Sequence, residues 1–325
     1  MRAIRRILVA VKDPSAASPP AVVKAAQLAQ ALHAELQLFH AITERLYFDA
    51  YGICDKSRTE IERETRDEII DRLETMAAHL RNDGLKVTTA AEWDYPAYEA
   101  VLRQAERWKA HLIVAEPHAG YRIAPLVLHP TDWELLRLSP VPVLLAKSAQ
   151  PYRNPIVLAA VDPSHAFAKP SGLDREILAA AKAVTTALGG ELHAVHAYVP
   201  LPVGLLEVDP RTAQQIENDA STLARARLQK VVRSAGVPLT RQHLVLSAPD
   251  EAIRDVAQEI GSAIVVMGAV SRSGLKRIFI GNTAERTLDS LDCDVLVVKP
   301  AGFASRVARK PRGPRPGVVG PMLPI

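Results

Sequence analysis

Short apolar runs alternate with longer stretches of helical periodicity along most of the chain. Ile264, Val265, Val266 and Met267 form one such run, closed by Gly268, the pattern of a parallel strand buried on both faces. The segment 57–80 carries Ile61, Ile69, Ile70, Leu73, Met76 and Leu80 on one stripe, with glutamates and arginines elsewhere, so it predicts an amphipathic helix covering a sheet. Read this way, the first half has strands near 6–12, 35–41, 86–92, 111–115 and 142–146, with helices near 19–33, 57–82, 96–108 and 131–138. The second half has strands near 155–161, 190–197, 240–246, 263–267 and 294–298, with helices near 173–188, 210–235, 249–260 and 282–291. Strands separated by helices predict an α/β protein whose parallel sheet is covered on both faces.

The two halves are copies of one unit. ILVAVKDPS at 7–15 matches IVLAAVDPS at 156–164, and ALHAELQLFHA at 31–41 matches ALGGELHAVHA at 187–197, pairing His40 with His196. Gly84 pairs with Gly236, Glu99-Ala100 with Glu251-Ala252, and 143–147 with 295–299, all 152 positions apart. QPYRNP at 150–155 links the copies.

Composition and charge narrow the class. At 325 residues with 48% hydrophobic content, the chain is long enough for two cores, and no apolar run reaches the ~18 residues that span a bilayer. The apolar stretch Ile7–Val11 is too short for a signal peptide, and the two cysteines, Cys54 and Cys293, lie in different halves; the expectation is a reduced, cytoplasmic protein. Five of the 40 bases sit in the acid-free segment 301–325, which leaves 35 against 36 acids, so the body is near neutral and nucleic acid is not an expected partner. That segment, rich in proline, glycine and arginine, is expected to be a disordered basic tail.

The chemistry concentrates after the fourth strand of the second half. Gly268, Ser271, Gly281, Asn282 and Thr283 frame a loop between that strand and a helix, where unpaired backbone N–H groups and the helix dipole favour an anion. On the spacing of these residues, together with Asp162-Pro163, Val265 to Gly268, Gly281-Asn282-Thr283-Ala284-Glu285 and Pro130-Thr131-Asp132-Trp133, the chain resembles the universal stress protein family in its tandem, two-domain form, over about residues 4–300. The resemblance implies two tandem five-stranded parallel-sheet domains, Rossmann-like and similar to adenine nucleotide alpha hydrolases, packed as a pseudo-dimer. Domain 1 would cover 1–149 and domain 2 would cover 150–300, with the tail at 301–325. It further implies a stress-response protein binding a small ligand in the second domain: an adenine nucleotide, ATP with Mg2+, or another phosphate-bearing metabolite. The implied nucleotide-binding residues are Asp162 at the sugar, Ala197 at the base, Gly268, Gly281, Asn282 and Thr283 at the phosphates, and Met267 and Ser271 in the same site.

Two departures qualify the loop. In the family's nucleotide-binding members a second glycine stands where this chain has Ser271, and a small hydroxyl residue stands at Asn282; a Cβ at the first position matters where the backbone approaches phosphate. In the first half Glu116, Ala119, His129 and Pro130 occupy the corresponding positions, so that half is expected not to bind a triphosphate. The alternative for the whole chain is an interaction scaffold, or a carrier of a larger apolar ligand between the halves. Asp13 reads as an Asp-Pro turn, and Asp162 is divided between such a turn and a ribose contact. His193 and His196 leave opposite faces of a strand and cannot share an ion, so no metal site is expected there. His118, His129 and Glu116 form the one weaker grouping that could take a small metal or anion. Cys293 reads as a small buried hydrophobe. No hydrolase motif is present and no catalytic residue is assigned; slow ATP hydrolysis stays open if ATP binds. The oligomer is expected to be either a monomer or a homodimer, since the fused halves can satisfy a dimer contact within one chain.

Overall fold

The computed structural model describes residues 3–48, 57–117, 130–164, 172–198, 210–269, 287–288, 290–305 and 307–318. Its first half runs β1 (Arg6–Ala10), α1 (Pro20–Leu32), β2 (Glu35–Ile42), β3 (Arg45–Phe48), α2 (Arg58–Asn82), β4 (Val87–Trp93), α3 (Ala97–Trp108), β5 (Leu112–Ala115), α4 (Pro130–Leu138) and β6 (Val143–Leu145). The second half runs β7 (Ile156–Ala160), α5 (Leu173–Leu188), β8 (Glu191–Tyr198), α6 (Pro210–Val232), β9 (Gln242–Leu246), α7 (Pro249–Glu259), β10 (Ile264–Gly268) and β11 (Asp294–Val298), and β12 (Arg315–Val318) lies in the C-terminal segment. The helix expected near 282–291 falls largely outside the described residues, of which Thr287, Leu288 and Ser290 are helical. No described helix is long and apolar enough to cross a membrane.

Ten strands form one sheet in the order β4-β2-β1-β5-β6-β11-β10-β7-β8-β9. Every pairing in it is parallel except β6 with β11, where Val143, Leu144 and Leu145 face Val297, Leu296 and Val295. The two copies therefore join edge to edge, with their strand orders in mirror sequence, and the pseudo-dimer is a continuous sheet rather than two sheets in contact. Alternate residues feed two cores. Ile7, Val9, Leu36, Leu38, Val114, Val157 and Val266 pack beneath α1, α2 and α5, whereas Leu8, Phe39, Ile113, Leu158, Val265 and Met267 pack beneath α3, α4 and α7.

Local signals set the helix starts. Ser57 and Glu60 make a reciprocal capping box ahead of α2, and α1 and α7 begin with proline, whose missing N–H costs nothing there. The linker carries the seam between halves: Tyr152 OH donates to Asp294 Oδ2 at 2.5 Å, the Lys147 backbone N–H donates to Asp294 Oδ1 at 2.7 Å, and Lys24 Nζ lies 3.2 Å from the same carboxylate. All three charged or phenolic side chains are buried there.

One expectation is overturned. The described residues of the C-terminal segment, 301–305 and 307–318, are docked on the first half: β12 pairs in parallel with β3, Arg315 opposite Arg45 and Val318 opposite Phe48. Val307 packs against the core beneath α3, and the Arg312 backbone N–H donates to Asp94 Oδ1 at 3.0 Å. Charge pairing with α3 supplies what the low apolar content of this segment does not.

Candidate functional site

In the second half β7 lies between β10 and β8, and α5 after β7 and Leu288 after β10 pack into the cores on opposite faces of the sheet, so the carboxyl ends of these strands form the switch point at which a crevice is expected. Such switch points are where doubly wound sheets take ligands. Asp162 stands two residues past β7 on one wall and Gly268 ends β10 on the other.

Four hydrogen bonds hold the Asp162 wall. The Val161 N–H donates to Val195 O at 3.0 Å, and His196 Nδ1 donates to Val161 O at 3.3 Å, so β8 braces the end of β7. The Asp162 N–H donates to Asp174 Oδ1 at 3.0 Å, tying the loop to the first turn of α5. Ser164 Oγ donates to Asp162 Oδ1 at 2.7 Å, closing an Asp-Pro-Ser turn. Asp162 thus makes the turn contact while its carboxylate stays at the crevice, half-buried. The first half repeats the brace: His40 Nδ1 donates to Val11 O at 2.9 Å, and burial holds its pKa below the ordinary histidine value, which keeps the ring neutral with its proton on Nδ1. There Asp13 Oδ1 accepts from the Ser15 N–H at 2.8 Å, the turn expected for Asp13.

Gly268 has a reason of its own. A Cβ at this position would stand 2.6 Å from Leu173 Cδ2 and 3.2 Å from Ile177 Cδ1, so the glycine lets α5 close onto the end of β10. Met267 beside it in β10 is buried in the α7-side core, and Ala197, paired with Val245 and half-buried, is the last residue but one of β8. The structure thus gathers Asp162, Ala197, Met267 and Gly268 at one end of the sheet. Ser271, Gly281, Asn282 and Thr283 lie outside the described residues, as do His118 and His129. Sequence reasoning missed Asp174, a buried carboxylate bonded to the Asp162 N–H, although its place in the first turn of the helix that follows Asp162 was visible.

The remaining histidines and the cysteine sit elsewhere. His193 Nδ1 lies 3.0 Å from His243 Nε2 near the amino ends of β8 and β9, away from the crevice, and burial lowers both pKa values. Burial pushes the Cys293 thiol up to about 11, which leaves it protonated at neutral pH. Among the described residues no three His, Cys, Asp or Glu side chains group so as to hold a metal ion. In the first half a groove of about 590 Å³ runs between α1 and α2, lined by Pro14, Ser15, Val22, Arg72 and Met76 among others.

The sheet order and the crevice define a tandem, doubly wound α/β protein. The profile of the universal stress protein family matches residues 3–147 and again 156–299, and the chain belongs to that family. Universal stress protein E of Escherichia coli (strain K12) is 28% identical over 307 residues, covering 92% of this chain and 96% of that protein. The universal stress protein E homolog of Haemophilus influenzae is 25% identical over 68% of this chain and 72% of its own length. Among solved structures, a functionally unknown protein from Pseudomonas aeruginosa PAO1 aligns at a TM-score of 0.72 and 25% identity, over 92% of this chain and 93% of that one. A universal stress protein from Archaeoglobus fulgidus DSM 4304 aligns at 0.62 and 18% identity over 90% and 98%, a likeness of fold alone.

Proposed function

We propose that the second half binds a small phosphate-bearing ligand, an adenine nucleotide foremost, in the crevice between β7 and β10. The observation that carries this reading is the placing of Asp162 and Gly268 on opposite walls of the switch point, with the loop that contains Ser271, Gly281, Asn282 and Thr283 issuing directly from Gly268. In this reading Asp162 accepts a ribose hydroxyl, the backbone at Ala197 meets the base, Met267 lies beneath it, and the loop N–H groups take the phosphates. A triphosphate would bring its own Mg2+. The family's role in stress and the cytoplasmic setting expected from the cysteine count agree with a ligand-sensing protein that has no catalytic residue.

Native mass spectrometry of gently purified protein, followed by calorimetric titration with Mg-ATP, tests it. A co-purified adenine nucleotide or a measurable heat is the expected result, and Asp162→Ala should then weaken binding by roughly tenfold, the worth of one good hydrogen bond. Neither a nucleotide mass nor heat, with the fold intact by circular dichroism, would leave the scaffold reading. Hydrolysis, if any, would have to disappear in Gly281→Val to belong to this site.

A further inference from the structure

We propose that the first half carries an arginine-recognition notch, formed by Asp94, Tyr95, Glu99 and Arg103, whose ligand is the chain's own C-terminal segment bound in cis as a removable strap. The notch lies at the carboxyl ends of β2 and β4, since the Asp94 N–H donates to Ile42 O at 3.2 Å and α3 begins three residues later. Arg103 binds Asp94 Oδ2 at 2.5 Å and Glu99 Oε2 at 3.0 Å, and all three side chains are at least nine-tenths buried. Two carboxylates against one guanidinium leave that buried cluster one positive charge short. Burying an unbalanced charge is costly, so the site calls for a cation.

Arg312 supplies it, and it is read in three ways. Its Nη2 lies 2.7 Å from Glu99 Oε1, its guanidinium lies 5.8 Å from the centre of the Tyr95 ring, and its backbone N–H donates to Asp94 Oδ1. The long, flat guanidinium reaches the Glu99 carboxylate and the Tyr95 ring together while staying half-exposed. The flanking chain adds main-chain contacts: Arg103 Nη1 donates to Ala308 O at 3.0 Å, and β12 extends β3 as an added strand. The second copy lacks the notch. At the positions 152 residues on, Leu246 replaces Asp94, Ser247 replaces Tyr95 and Asp255 replaces Arg103, and Leu246 is exposed. The strap therefore covers the sheet end of the copy whose phosphate loop is degenerate and leaves the other copy's crevice to its ligand.

Hydrogen–deuterium exchange on the full chain decides it. The amides of 307–318 and 45–48 should exchange slowly and faster in high salt. Arg312→Ala should raise exchange in both segments tenfold or more while β1 and β7 are unchanged, Arg312→Lys should fall between, and Lys310→Ala should match the parent. Adding a synthetic peptide of residues 303–318 to Arg312→Ala should restore protection of 45–48, and the same peptide with alanine for Arg312 should not. Coil-like exchange of 307–318 in the parent, or no response to Arg312→Ala, would overturn the proposal. Protection that grows with protein concentration would overturn the cis arrangement and assign the strap to a second copy.

Discussion

Lys299, directly after β11, is 8% exposed, and among the described residues its Nζ has no hydrogen-bond partner, only the face of the Phe303 ring at 5.0 Å. Its counterpart in the repeat, Lys147, spends its ammonium on the carbonyls of Leu288 and Leu291. Burial, helped by the nearby Arg137 guanidinium, lowers the Lys299 pKa from 10.5 to about 7. Between those two values the unfolded chain holds a proton that the folded one has released, so stability should rise with pH across that window by about 1.4 kcal/mol per unit from this group. Below about 7 the cost of the buried ammonium is felt in full. Lys299→Met should therefore melt higher than the parent at neutral pH, with the gap closing towards pH 10; a constant gap across that range in thermal scans would refute the assignment. Gly268 offers a second test at this scale. Because Leu173 is fully packed, the Cβ of Gly268→Ala must displace it, and a loss of about 1–3 kcal/mol in urea unfolding is expected.

At the scale of elements, the junction between the copies rests on one carboxylate. Asp294 opens β11, is 2% exposed, and answers to Lys24 on α1, Tyr152 in the linker and the backbone of Lys147. Burial and the adjacent Asp294 charge push the Tyr152 hydroxyl well above the ordinary phenol range, so it stays a donor. Asp294→Ala takes the counter-charge from the buried Lys24 ammonium, leaving it the Gln150 carbonyl and the Tyr152 ring face, and a loss of about 3–5 kcal/mol is expected in denaturant unfolding. An effect below about 1 kcal/mol would mean the seam is held by the β6–β11 ladder alone. This junction also marks how far the sequence could be read. The strand runs, the repeat and the strand ends at Asp162 and Gly268 were legible, because burial on both faces writes itself as unbroken apolar letters. The mutual order of β6 and β11 was not, since antiparallel and parallel pairing leave the same pattern in Val143–Leu145 and Val295–Val298. Nor was β3, four residues whose partner strand lies some 270 positions away. The C-terminal segment misled for a related reason: composition reports a chain's own apolar content, and what orders Arg312 is charge held on α3.

For the whole molecule, the resemblance between copies sets the expected assembly. In a single-domain relative, a strand placed as β6 or β11 is would be an open sheet edge, available to a second chain. Here each is the other's partner, and the antiparallel register of Val143–Leu145 with Val297–Val295 completes the sheet within one polypeptide. The edges that remain are β4 and β9. The β4 edge is flanked by the Arg107–Glu92 ion pair and the Trp93 bond to the Glu62 carbonyl, which engage its exposed end. The β9 edge carries His243, spent on His193, and is bracketed by two exposed apolar side chains, Leu239 just before it and Leu246 at its end. With β6 and β11 paired within one polypeptide, the chain is expected to sediment as a 35.3 kDa monomer across two orders of magnitude of concentration. A constant dimer would locate a further interface on an outer helix face. A dimer that dissociates on adding salt, and is lost in Arg312→Ala, would place the C-terminal segment of each chain in the notch of the other.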